Sequence, residues 1–138
     1  MKQFIERFRR ARVLVVGDLM LDEFVWGKVS RISPEAPVPV VWVQSESVMP
    51  GGAANVANNI RALGGQVSLI GLVGEDRWGT TLLSDLADRK IETSGILKAA
   101  RPTTVKTRVI AHHQQVVRVD REPRPPLPPG TVERLIET

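Results

Sequence analysis

A chain of 138 residues with 42% hydrophobic content can enclose one ordinary globular core, which makes it one domain or part of one. It contains no cysteine, which excludes disulfides and thiolate metal sites. The formal charge of +4 and the cluster Arg7, Arg9, Arg10 and Arg12 raise the question of nucleic acid, but aromatics make up 4% of the chain and none interleaves with those arginines as a base-stacking surface requires.

No nucleic-acid partner is therefore expected. No apolar run is long enough to span a bilayer, and the N-terminal residues are in the wrong order for a secretory signal. A cytoplasmic protein without a membrane partner is the expectation.

In chain order, Phe4, Ile5 and Phe8 mark one side of a predicted helix from Lys2 to Arg10. Val13-Leu14-Val15-Val16-Gly17 reads as a parallel strand buried on both faces. Asp18 and Asp22 follow its carboxyl end, which is where open α/β sheets bind ligands, although an aspartate after a strand is also a common turn former or cap. Residues 23–28 and 38–48 are expected to be extended. Between them Pro34, Pro37 and Pro39 exclude a helix, so these segments belong at a sheet edge or in a small outlying sheet.

The stretch Pro50-Gly51-Gly52-Ala53-Ala54-Asn55-Val56-Ala57 carries the strongest chemical signal. Gly51 and Gly52 lack a Cβ, which lets the backbone turn sharply and lets a ligand reach main-chain N–H groups. A helix is predicted from Ala53, with apolar Val56, Ile60 and Leu63 along one face and Gly64-Gly65 as a left-handed C-terminal cap. Its first-turn N–H groups would face whatever the glycines admit, and the Asn55 carboxamide offers both donor and acceptor to hydroxyl groups. An ordinary glycine turn before a helix is the plainer reading of the pair alone.

Residues 66–73 read as the next buried strand, Gly74-Glu75-Asp76 as its exit loop, and residues 78–90 as an amphipathic helix with Leu82, Leu83, Leu86 and Ala87 inward. A short strand is expected within 91–97. Alternation in 103–111 and 114–120 predicts an antiparallel hairpin. The adjacent His112 and His113, taken as strand residues, would face opposite sides and share no metal. Five prolines between Glu122 and Gly130 make an extended linker, and Thr131 starts a last helix.

The spacing of Gly51, Gly52, Asn55, Ala57, Gly64 and Gly74 resembles the first signature of the ribokinase-like (PfkB) sugar kinases. Gly17-Asp18-Leu19-Met20-Leu21-Asp22, followed by Ser30-Arg31-Ile32-Ser33-Pro34-Glu35-Ala36-Pro37-Val38-Pro39-Val40, is further similar to the kinase domain of the bifunctional heptose 7-phosphate kinase and heptose 1-phosphate adenylyltransferase family.

The resemblance implies an α/β fold, the N-terminal half of a doubly wound parallel sheet with a small β-sheet lid at about 22–48 and 103–120. It implies that Asp22, Gly51, Gly52 and Asn55, with Asp18 beside them, hold sugar hydroxyls. Lys106, Arg108 and Arg118 on the lid would neutralise a sugar phosphate, unless they are only solvated strand charges.

The implied reaction is phosphorylation of D-glycero-D-manno-heptose 7-phosphate at its anomeric hydroxyl by MgATP. The family's catalytic aspartate, anion hole and ATP site lie beyond the equivalent of Thr138. This chain therefore contributes no catalytic residue and alone should be inactive. The resemblance also implies a homodimer formed through lids. The alternatives are another sugar or nucleoside kinase of the superfamily and a non-catalytic lid or dimerisation module.

Overall fold

The computed structural model describes residues 7–123 and 126–138. The predicted leader helix lies largely outside the described residues, as do two positions of the proline-rich segment.

Among the described residues the chain forms two sheets. The first is parallel, in the order β1 (Arg12–Val16), β4 (Gln66–Gly74), β5 (Ile96–Ala99). The second contains β2 (Leu19–Ile32), β3 (Pro39–Gly52), β6 (Thr104–Ala111) and β7 (Gln114–Arg121), in the order β3-β2-β6-β7. The helices are α1 (Ala53–Ala62), α2 (Arg77–Asp88) and α3 (Thr131–Ile136).

The core is the junction between parallel sheet and helices. Val67, Leu69 and Val73 of β4 pack with Ala54 and Ala57 of α1 and with Leu82 and Leu86 of α2. Leu19 and Leu21 of β2 and Val105 of β6 reach the same core, so the second sheet is rooted in the first at one end.

Several expectations change. The Val13–Val16 run is not buried on both faces: Leu14 and Val16 are 58% and 67% exposed, because no described residue covers that side of β1. The apolar stripe on α1 is only partly buried, with Ile60 packed against the core. Val56 and Leu63 are exposed, and the small Ala54 and Ala57 face inward, where they let the helix lie close to the sheet. Ala87 of α2 is exposed rather than inward. Within 91–97 only the last two residues join β5.

The cap of α1 follows the sequence. Gly64 has φ +88°, its N–H donates to Arg61 O (2.9 Å), and Gly65 N–H donates to Ile60 O (3.0 Å). That is the paired-bond geometry of a Schellman ending.

Strands β2 and β3 of the second sheet are longer than expected. At the usual rise, 14 residues carry β2 about 45 Å, far past the core. His112 and His113 are not strand residues; both have positive φ (50° and 64°) and make the two-residue turn of the β6–β7 hairpin. His112 Nε2 lies 3.0 Å from Val29 O.

Candidate functional site

The site forms where β2 and β3 leave the core. The two strands are antiparallel, with Met20 opposite Gly51 and Leu19 opposite Gly52. The diglycine is therefore the last part of a strand, and only its second residue turns. Gly52 has φ +55°, a conformation suited to glycine, and a Cβ there would stand 2.5 Å from the carbonyl oxygen of Asp18.

Gly51 serves a different end. A Cβ on it would meet Asp22 Oδ2 and Met20 Cγ, each at 2.9 Å. The Asp22 carboxylate thus lies over the space that Gly51 leaves open.

Asp22 Oδ1 accepts a hydrogen bond from Arg108 Nη1 at 2.5 Å, and the two side chains are 23% and 24% exposed. The guanidinium also stacks 5.4 Å from the Phe24 ring centre. Phe24 stands opposite Arg108 in the β2–β6 register and two residues from Asp22 on the same face. The sequence reading missed Phe24, although period-two alternation from Asp22 points to it.

Asp18 acts through its backbone, its carbonyl accepting the Ala53 N–H at 2.9 Å. One of the N–H groups assigned to a ligand from sequence is therefore used inside the protein. Asn55 sits exposed in the first turn of α1, directly after Gly52.

The other cations are engaged elsewhere. Lys106 Nζ bonds Glu122 Oε1 (2.7 Å) and Asp120 Oδ2 (3.3 Å), while Arg118 makes two bonds to the Asp120 carboxylate (2.9 and 3.0 Å). The hydrogen bond to Glu122 holds the Lys106 ammonium above its ordinary pKa, against partial desolvation and with help from Asp120. Of the three cations read from sequence, only Arg108 touches Asp22.

A cleft of about 230 Å³ opens at the carboxyl ends of β1 and β4, beside Gly17, Asp18, Gly71 and Arg101. A larger groove of about 910 Å³ lies at the opposite ends, around Arg12, Gln66 and Lys90. It is remote from Asp22, and ligands of open α/β sheets bind at the carboxyl ends. Among the described residues no three His, Asp or Glu side chains converge as a metal site would need, and no helix is long and apolar enough to cross a membrane.

A parallel sheet whose first strand leads into a projecting β-sheet and returns through a diglycine to a helix is the ribokinase-like α/β architecture. The chain aligns at TM-score 0.67 and 27% identity with a protein of Agrobacterium tumefaciens assigned as a ribokinase, over 92% of this chain and 38% of that one. It aligns at 0.60 and 25% with Halothermothrix orenii fructokinase, over 81% and 38%.

The chain belongs to the pfkB family of carbohydrate kinases, whose model matches residues 10–125. It is 58% identical to bifunctional protein HldE of Magnetococcus marinus over 83% of this chain and 24% of that protein. It is 51% identical to the HldE of Pelobacter propionicus over 98% and 28%. The chain thus spans about a quarter of the length of these curated relatives.

Proposed function

We propose that the chain is the sugar-binding part of an ATP-dependent cytoplasmic kinase that phosphorylates D-glycero-D-manno-heptose 7-phosphate at its anomeric hydroxyl. The observation that carries this reading is the cradle: the Asp22 carboxylate over the Cβ-free Gly51, next to the first turn of α1 and Asn55. Oδ1 is occupied by Arg108, so Oδ2, on the glycine side, is the atom to accept a sugar hydroxyl.

The four-stranded sheet acts as a lid, and its Asp22 face also carries Lys106, Arg108 and Arg118. These give a dianionic sugar phosphate more complementarity than a neutral sugar, even though Lys106 and Arg118 share carboxylates at present. The identity to HldE proteins favours the heptose kinase over other sugar kinases of the family.

Nucleotide and metal belong to other segments of the intact protein. They supply the phosphoryl group and its charge neutralisation, while the residues here bind and orient the acceptor.

Titration calorimetry tests the reading. Heptose 7-phosphate should bind this chain more tightly than ribose or fructose 6-phosphate; equal affinities, or none for the heptose, would overturn it.

A further inference from the structure

One side chain outside the cradle joins three elements. Asp76 ends the loop after β4 and caps α2, with its Oδ1 accepting the Gly79 N–H at 2.8 Å. The same oxygen accepts the Thr103 hydroxyl (2.7 Å), and Oδ2 accepts the Thr103 N–H (2.8 Å). The Thr103 hydroxyl oxygen in turn accepts the Gly74 N–H at 2.9 Å. Thr103 is 3% exposed and is the last residue before β6.

The glycines around this knot are required by its closeness. A Cβ on Gly74 would stand 2.2 Å from Arg101 O and 2.6 Å from Thr103 N, and one on Gly79 would stand 2.2 Å from Gly74 O. The contacts are backbone atoms, which cannot step aside as a flexible side chain can. The last glycine of the sequence signature therefore serves this joint rather than the cradle.

The joint stands at a particular place in the second sheet. Met20 is the register partner of both Gly51 on β3 and Thr104 on β6. Three of the four points where the chain enters or leaves the projecting sheet thus lie on one line across its strands, and the fourth, Arg121 at the end of β7, pairs with Val105 one rung away. At the β3 end the line passes Gly51, and two residues on the Ala53 N–H ties the chain to Asp18 O. At the β6 end it is clamped by Asp76 through Thr103.

We propose that Asp76 is a positioning residue for the sugar site: through Thr103 it fixes where β6 starts beside the parallel sheet, and so holds Arg108 within hydrogen-bond reach of Asp22. The sugar part of this statement rests on the function proposed above, whereas the control of β6 by the joint does not. Asp76→Asn replaces one acceptor by an NH₂ group that faces a donor, either the Thr103 N–H or the donors of Thr103 and Gly79. Thr103→Val removes the hydroxyl and leaves the α2 cap in place; Thr103→Ser keeps every bond of the joint.

The test is amide hydrogen exchange on the 138-residue chain, together with calorimetry of heptose 7-phosphate. Asp76→Asn and Thr103→Val should speed exchange of the β6 amides at least tenfold while the β4 amides from Val67 to Val73 change less than twofold, Gly74 being set aside because its own acceptor is the Thr103 hydroxyl, and Thr103→Ser should match the wild type. Heptose 7-phosphate affinity should fall at least tenfold in the first two variants only. Unchanged β6 exchange, or an equal rise in β4 and β6, overturns the proposal, because the second pattern is general loosening rather than positioning. The Thr103 pair decides the matter even where Asp76→Asn does not fold. If the wild-type chain binds no heptose 7-phosphate while exchange follows the expected pattern, the substrate reading falls and the control of β6 stands.

Discussion

Asp22 is held by one ion pair and by one missing atom. Both partners of the Asp22–Arg108 pair remain about a quarter exposed, and such pairs contribute only about 0–1 kcal/mol to stability. A hydrogen bond from a substrate hydroxyl to a carboxylate contributes about 1.5–3 kcal/mol. Asp22→Asn should therefore leave thermal unfolding almost unchanged while weakening heptose 7-phosphate binding by about tenfold to a hundredfold. Calorimetry and a melting curve on one sample check both halves, and retained affinity removes Asp22 from the site. The glycines separate in the same way. At Gly51 an added methyl meets side chains that can yield, so Gly51→Ala should cost about 1–3 kcal/mol and displace the carboxylate. At Gly52 it meets the Asp18 carbonyl in a backbone conformation with positive φ, so Gly52→Ala should lower the urea midpoint further than Gly51→Ala. The sequence pointed to both glycines but could not divide their roles, because the division depends on the rung at which β3 ends.

The elements show where periodicity informs and where it misleads. The cap of α1 was legible because Gly64-Gly65 is a local signal, and so was the hairpin. The inward face of α1 was legible only in part: of Val56, Ile60 and Leu63, only Ile60 packs on the core, beside the small alanines. For β1 the apolar run correctly marked a strand, yet one of its faces is left open by every described residue. Asp76 was read only as part of an exit loop; its cap was open to discovery from Gly79 three residues on, whereas Thr103, distant in sequence, was not. Burial opposes ionisation of Asp76, but the hydrogen bonds from Gly79 and Thr103 outweigh it and hold the carboxyl below the usual aspartate range. A depressed folded-state pKa contributes stability that is complete above the unfolded value and lost as pH falls through the folded one. The stability gap between wild type and Asp76→Asn, on the order of 1–3 kcal/mol for a buried donor left without an acceptor, should be constant from about pH 7 to 5 and close on further acidification. Urea midpoints measured across that range check it; a gap independent of pH assigns the effect to packing instead.

At the scale of the whole molecule, two of the apolar surfaces that the described residues leave uncovered predict different assemblies. One is β1, where Leu14 and Val16 are exposed beside an open sheet edge, a combination that invites strand pairing. The other lies on the projecting sheet, on the face opposite Asp22. There Val25, Val109 and Val117 form a row across three strands, with Val48 and Val119 flanking it in the register of Glu23 and Thr107. Val48, Val117 and Val119 are 36%, 47% and 45% exposed. A row of β-branched side chains on a twisted sheet is suited to face-to-face packing on a second sheet, and a stable pair buries about 800 Å² on each partner. A homodimer through lids, which the family resemblance implies, would use this row. Surface substitutions away from special contacts change stability by only about 0.5 kcal/mol, so charges can be introduced without unfolding the chain. Sedimentation equilibrium should find a dimer for the wild type, a monomer for Val117→Arg and a dimer for Val16→Arg. The reverse pattern, with Val16→Arg alone dissociating, would assign self-association to the open parallel sheet and discard the pairing of lids.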